Sequence, residues 1–244
     1  MERLVEGTKH LGLALTQSQI GKFQDLYEIL VEWNTRLNLT AITEYEQIQI
    51  RHFLDSLSCV LALKHQQYER NDVPLSCIDV GSGAGFPGLA LKIYCPQIEM
   101  TLLEATGKKV DFIEFAIQHL GLKRIKAIKG RAEEVGQIPD HRERYDVVLA
   151  RAVAELPVLA EYLLPLCRLG GLIVAQKGAS AQEEIQTADY AISVLGGRLK
   201  KIMSIELLGL AEVRNLVLIE KVARTPDKYP RRPGMPAKRP LKRE

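Results

Sequence analysis

A run of glycines directly behind an aspartate, "DVGSGAGFPG" from Asp79 to Gly88, is the stretch of this sequence best suited to hold a nucleotide-like ligand. Without a Cβ, glycine lets the backbone approach a flat nucleoside closely and accepts positive φ. The preceding "SCIDV" is a short apolar run ending at Val80, and "FPGLALKIY" after it has helical spacing. The glycines therefore form a strand-to-helix turn.

Three kinds of ligand suit such a turn: a nucleoside triphosphate, a dinucleotide, and S-adenosylmethionine. The first is excluded because no Lys-Ser/Thr pair follows the glycines. In the dinucleotide register set by Gly81 and Gly83, a third small residue belongs at position 86, where Phe86 stands. The formal match from Gly83 to Gly88 starts two residues too late to serve as the turn itself. Asp79 opposes a pyrophosphate and suits an ammonium and a sulfonium, although it could equally accept N–H bonds from the loop. Glu104 closes the next apolar run, about twenty residues on, and can accept from both ribose hydroxyls of either remaining ligand. The root acid and the missing third glycine together favour S-adenosylmethionine.

Two later runs end in polar residues at corresponding places. In "GRAEEV", Ala132 and Glu133 could meet the edge and face of an adenine; in "ARAVAEL", Arg151 is presented. A solvated loop acid and a salt bridge at a helix start are the alternatives for Glu133 and Arg151. Their joint placement at successive strand ends favours a site, because ligands of open α/β sheets sit outside the carboxyl ends of the strands.

The elements that must position these residues alternate. Apolar runs at "IEMTLLE", "IKAIKG", "YDVVLARA" and "GLIVAQKG" are separated by helical patterns at "GKKVDFIEFAIQHLG" and "ELPVLAEYLLPLC". A further helix spans 182–195, and the strands "RLKKIMSIEL" and "VRNLVLIEKV" end the fold. Alternation of this kind predicts an α/β, Rossmann-like, largely parallel seven-stranded sheet covered on both faces. No helix separates the last two strands, so the last is expected to run antiparallel.

Two helices are expected before the glycine turn. One follows Thr16, with Gln19 at capping-box spacing; the other starts at Thr43 and Glu46 and carries Ile50, Phe53, Leu54, Leu57, Val60 and Leu61 on one face. The reading divides the chain into a helical extension (1–72), the α/β domain (73–223) and a basic, Pro/Arg-rich extended arm (224–244).

Composition bounds the partners. A 46% hydrophobic content describes a globular chain, and no apolar run approaches the roughly 20 residues that span a bilayer. The amino terminus lacks a signal-peptide core, so cytoplasmic residence is expected. Cys59, Cys77, Cys95 and Cys167 are scattered without ligand spacing, which argues against zinc or disulfides. From Lys221 onward there are nine Lys/Arg and two acids, whereas the rest of the chain is net acidic. A basic tail on an acidic body points to a polyanion, with a disordered solubilising tail as the alternative.

With these residues on the page, "RHFLDSL" (51–57), "IDVGSGAGFPGL" (78–89), "RAEE" (131–134), "ARA" (150–152), "QKG" (176–178) and "KYPRRPGMPAKRPL" (228–241) together resemble the bacterial 16S ribosomal RNA guanine-N7 methyltransferase G family. That family is also known as glucose-inhibited division protein B. The resemblance implies the class I S-adenosylmethionine-dependent methyltransferase fold. It also implies a donor site at Gly81, Phe86, Ala132, Glu133 and Arg151 with Glu104 on the ribose, and methyl transfer to N7 of a guanine in 16S rRNA or the small ribosomal subunit.

The absence of a Ser-His-Asp set or metal cluster suits that reaction, because N7 offers a free lone pair and loses no proton. The turn after strand four is "ARAVAEL" rather than the "DPPY"-like turn of amino-group enzymes, and no cysteine lies there to serve C5-cytosine chemistry. Asn38, Arg51, His52, Asp55 and Lys177 are the candidates for handling the acceptor. The bland alternatives are an Arg51–Asp55 surface ion pair, a helix-surface His52 and a solvated Lys177. Two rival functions stay open: a donor-sensing RNA-binding module without turnover, and a small-molecule methyltransferase. The chain is expected to act as a monomer without a metal.

Overall fold

The computed structural model describes residues 1–67 and 74–243. Seven strands form one sheet: β1 (Ser76–Val80), β2 (Glu99–Glu104), β3 (Ile125–Lys129), β4 (Tyr145–Arg151), β5 (Cys167–Lys177), β6 (Gly197–Ile205) and β7 (Arg214–Lys221). Their order is β3-β2-β1-β4-β5-β7-β6. The pairs among β1 to β5 are parallel, and β7 runs antiparallel to both neighbours, as the missing helix between the last two strands requires.

The chain winds outward from β1 to β3, then returns to β4 on the other side. That reversal opens a crevice at the carboxyl ends of β1 and β4. Successive side chains of β4 alternate between two cores, Val147 and Leu149 facing one and Val148 and Ala150 the other. The first core receives α2 (Gln17–Leu37), α6 (Gly88–Tyr94) and α7 (Gly107–His119) through Phe23, Leu91 and Phe112. The second receives α9 (Leu156–Leu163) and α10 (Ala181–Val194) through Leu159, Leu163 and Ile192.

The amino-terminal layer is more elaborate than its periodicity indicates. The capping box of α2 forms as expected: Gln19 N–H donates to Thr16 Oγ1 at 3.2 Å, and Thr16 N–H donates to Gln19 Oε1 at 2.9 Å. A further helix, α1 (Glu2–His10), precedes it and was not anticipated. Its buried face is Leu4, Gly7 and Thr8, and a Cβ on Gly7 would stand 2.3 Å from Leu54 Cδ2. Close approach, rather than apolar bulk, is what α1 contributes.

The helix expected from Thr43 is broken into pieces. It starts at Glu44 without a side-chain cap and runs as α3 (Tyr45–Ile48), a π-helical segment (Gln49–Leu54), α4 (Asp55–Leu57) and, after a turn, α5 (Val60–Gln67). Ser56 Oγ donates to the His52 carbonyl and Ser58 Oγ to that of Asp55, bonds that bend a helix. The wide turn delivers Arg51, His52 and Asp55 to the sheet edge, the frequent use of π segments at functional sites.

The carboxyl-terminal residues are not a free extended arm. Residues 225–241 fold back over α8 (Ala132–Val135) and α9, with α11 (Met235–Lys238) near the end. Tyr229 and Pro236 are buried. Arg142 donates to the carbonyls of Gly136, Thr225 and Tyr229 at 2.7–3.0 Å. The expected boundary between residues 72 and 73 lies outside the described residues, as does residue 244.

Candidate functional site

Two cavities lie at the crevice, their linings adjacent at Ala152 and Val153. The first, about 240 Å³, is walled by Gly81 at the turn, Glu104 at the end of β2, Ala132 and Glu133 beyond β3, and Val153 and Tyr162 after β4. Gly81, Gly83 and Gly85 have φ of 70°, 60° and 85°, a region that L side chains seldom enter. A Cβ on Gly81 would also come within 2.7 Å of Val153 Cγ2.

Glu104 is buried, and its carboxylate accepts Gly83 N–H at 2.9 Å and Thr106 N–H at 2.8 Å, one on each oxygen. A carboxylate offers about four lone-pair directions. Both oxygens thus keep one for a pair of ribose hydroxyls while the backbone fixes their aim. Glu133 is also buried and its Oε1 accepts Gly234 N–H at 2.9 Å. Beside it the Tyr162 phenol is raised in pKa, by burial first and by the Glu133 carboxylate next.

Asp79 stands apart from this wall. It is fully buried, lines neither cavity, and its Oδ2 accepts Gly88 N–H at 2.8 Å. Burial pushes its pKa up to about 7, against the smaller opposing pulls of Gly88 N–H and Arg151. The alternative weighed from sequence is the geometry observed: this carboxyl ties the turn to α6 instead of facing a ligand. Asp79 Oδ1 and Ser82 Oγ lie buried beside the turn without a hydrogen-bond partner.

Phe86 backs the second cavity. His52 stacks on it, with centroids 5.1 Å apart and planes 7° from parallel, and the Arg151 guanidinium lies 5.6 Å from its centroid. The second cavity, about 390 Å³, is lined by Arg51, His52, Asp55, Arg151, Gln176, Lys177 and Arg214, with Ile42, Ala152 and Gly178 completing the wall. Burial first, then the Arg151 charge, lower the His52 pKa to about 4, so the imidazole is neutral at pH 7. Thr40 Oγ1 lies 2.8 Å from its Nε2.

Asp55 does not pair with Arg51. It is buried, and it bonds Arg151 through Oδ2 at 3.1 Å and Arg214 through Oδ1 at 3.2 Å. Arg51 turns outward to Gln47 and Glu212. Lys177 is not solvated; it reaches the Ala154 carbonyl and Glu184, each at 2.6 Å, while Glu184 also accepts Leu156 N–H. Lys177 and Glu184 thereby pin the loop after β4, in which Ala152 holds a φ of 55°. That conformation costs a non-glycine residue roughly 1–2 kcal/mol.

Of the residues expected from sequence, Gly81, Glu104, Ala132 and Glu133 share the first cavity, and Arg51, His52, Asp55, Arg151 and Lys177 the second. Gly83 and Phe86 support them from beneath. Asn38 lies outside both: it is exposed and caps α2 in the left-handed conformation at φ 49°. The turn beside it is organised by Asn34, whose Oδ1 accepts Thr40 N–H at 2.8 Å. Arg214, Gln176 and Thr40 were missed. Gln176 Nε2 donates to the Asp55 carbonyl at 2.7 Å and its Oε1 is buried unpaired. "QKG" was the one signal that pointed near it.

A larger hollow of about 550 Å³ lies at the opposite edge, among Ser76, Glu99, Lys126 and Tyr145 at the strands' amino ends. It lacks the glycine turn. Among the described residues no cluster of three or more His, Cys, Asp or Glu could hold a metal, and no helix is long and apolar enough to cross a membrane.

This geometry has relatives. A family model described as rRNA small subunit methyltransferase G matches residues 19–215. Ribosomal RNA small subunit methyltransferase G of Pelotomaculum thermopropionicum is 48% identical, with 98% of each chain covered. The protein of the same name from Dehalococcoides mccartyi is 48% identical over 99% of this chain and 100% of its own. Among solved structures, P. horikoshii TYW2 in complex with MeSAdo has a TM-score of 0.51 at 16% identity, covering 61% of this chain and 58% of its own. A mutant of MtNAS in complex with S-adenosylmethionine has a TM-score of 0.52 at 16% identity, covering 90% and 77%. At such identities these structures show a common fold.

Proposed function

The chain belongs to the rRNA small subunit methyltransferase G family, and from that membership we propose that it transfers the methyl group of S-adenosylmethionine to N7 of one guanine in 16S ribosomal RNA. One observation carries the reading. A glycine-walled cavity bearing a pre-aimed Glu104 opens beside a second cavity lined by Arg51, Arg151 and Arg214.

The bound donor supplies an electrophilic methyl group on a cationic sulfur. The residues present fit it: Glu104 has free lone pairs for ribose, and the turn at Gly81 leaves no side chain in the nucleoside's way. Guanine N7 presents an in-plane lone pair and releases no proton, so no general base is needed. The second cavity accords with that, since its acid, Asp55, is held by two arginines and its stacked histidine, with its pKa lowered to about 4, is a weak base. What the chain contributes is alignment, which can supply roughly 7–11 kcal/mol of barrier reduction.

The polyanion is met by charge. Arg51, Arg151 and Arg214 line the acceptor cavity, and Lys228, Arg232, Lys238 and Arg239 are exposed on the folded-back carboxyl-terminal segment. Such contacts bind RNA phosphates with strong salt dependence. The reading places the protein with ribosomal RNA in the cytoplasm, acting as a single chain.

The test is labelled methyl transfer into rRNA from cells lacking the enzyme, offered as naked RNA and as small subunits. Label in the small-subunit rRNA is expected. Donor binding with no transfer to either form would contradict the reading and favour a donor-sensing module.

A further inference from the structure

The folded-back carboxyl-terminal segment reaches the donor cavity itself. Its anchor is Arg231, which donates to the fully buried Glu161 from its backbone N–H at 2.8 Å and from its guanidinium at 2.6–3.2 Å. Gln137 Nε2 holds the Pro230 carbonyl at 2.9 Å. Three residues beyond the anchor, Gly234 turns at φ 81° and points its N–H at Glu133 Oε1, 2.9 Å away. Glu133 is a wall of the donor cavity, beside Ala132 and Tyr162.

A carboxylate only accepts hydrogen bonds. At the adenine end of a donor it can receive the 6-amino group and repels the 6-carbonyl of hypoxanthine. Which of these it does well depends on its aim. On a four-residue helix at the cavity rim, a glutamate free of other partners would lose rotamer freedom on meeting a ligand. With the Tyr162 phenol on its carboxylate and Oε1 engaged by Gly234 N–H, that ordering is done before the ligand arrives.

Resting on the donor reading above, we infer that the carboxyl-terminal segment is a specificity-determining part of the donor site, holding Glu133 so that the cavity selects an adenine over a hypoxanthine base. Gly234 and Arg231 are positioning residues in this account, since neither meets the donor.

The experiment compares binding of S-adenosylhomocysteine and S-inosylhomocysteine by calorimetry. The full chain is expected to prefer the adenosyl compound by about tenfold or more, the scale of one charge-assisted hydrogen bond. A chain ending at residue 233 keeps the Arg231–Glu161 anchor and loses Gly234; its preference should fall to within about twofold of unity in a chain that thermal melting shows to be folded. Gly234→Pro in the full chain removes the same N–H and, with φ fixed at about −65°, also the turn that aims it; it should give the same loss, and it decides the matter if the shortened chain does not fold. Retention of the parent's preference in a folded variant would overturn the inference. A full chain that binds neither compound would overturn the donor reading and this inference with it.

Discussion

Asp79 and His52 flank the glycine turn, and burial moves them in opposite senses. Asp79 rises from 3.8 to about 7, and His52 falls from 6.5 to about 4. Between roughly pH 4 and 7 folded Asp79 keeps a proton that the unfolded chain has released, so its contribution to stability falls as pH rises. Over pH 4 to 6.5 the unfolded chain holds a proton that folded His52 lacks, so its contribution falls as pH drops. The two trends offset one another in the parent, and single variants separate them. Urea denaturation across this range should show the parent losing stability relative to Asp79→Asn as pH rises, by up to about 1.4 kcal/mol per pH unit. Relative to His52→Gln the slope should have the opposite sign. A pH-independent difference in either pair would contradict the burial assigned to that residue. At this scale the sequence was informative where chemistry is local. Gly81 and Glu104 are legible because a turn and the acid at the next strand end belong to one pattern. Asp55 misled because its partners, Arg151 and Arg214, lie 96 and 159 residues away. The neighbour four residues along was the visible candidate, and the fold turned it elsewhere.

Those long-range pairs hold elements together. Asp55 begins α4 and binds the end of β4 through Arg151 and the start of β7 through Arg214, so one carboxylate clamps the helical layer to two strands. Its side chain is 6% exposed and those of the arginines 15% and 21%. Removing one partner of such a buried network leaves charges uncompensated, at a cost of about 3 kcal/mol. Asp55→Ala should lower the urea midpoint accordingly, whereas Arg51→Ala, which breaks contacts on the exposed side, should change stability by under about 1 kcal/mol. Equal effects would contradict the clamp. The strands and the helices between them were readable because their periods, two and 3.6, persist over whole elements. The π segment was not, because Ile50, Phe53, Leu54 and Leu57 also satisfy an unbroken α-helix. The first helix escaped because Gly7 and Thr8, which form its buried face with Leu4, carry no hydrophobic signal.

Across the whole molecule, strand order places both cavities at one reversal point, and charge sorts the surfaces around them. The basic carboxyl terminus divides in two. Lys221 and Arg231 turn inward to Glu143 and Glu161, while Lys228, Arg232, Lys238 and Arg239 face solvent. Composition shows the excess of positive charge and not this division, because a buried acid partner is invisible until the chain is folded. On the reading proposed above, the inward Arg231 anchors the turn that meets Glu133 and the outward part suits phosphates, so a single segment would serve both ligands of the reaction. The central claim is that these cavities align a donor methyl with a guanine ring nitrogen and remove no proton. It is tested most directly by digesting rRNA methylated in vitro to nucleosides and identifying the one that carries the label. The account predicts 7-methylguanosine from the small-subunit RNA; label on an exocyclic amino group or a ring carbon would contradict it.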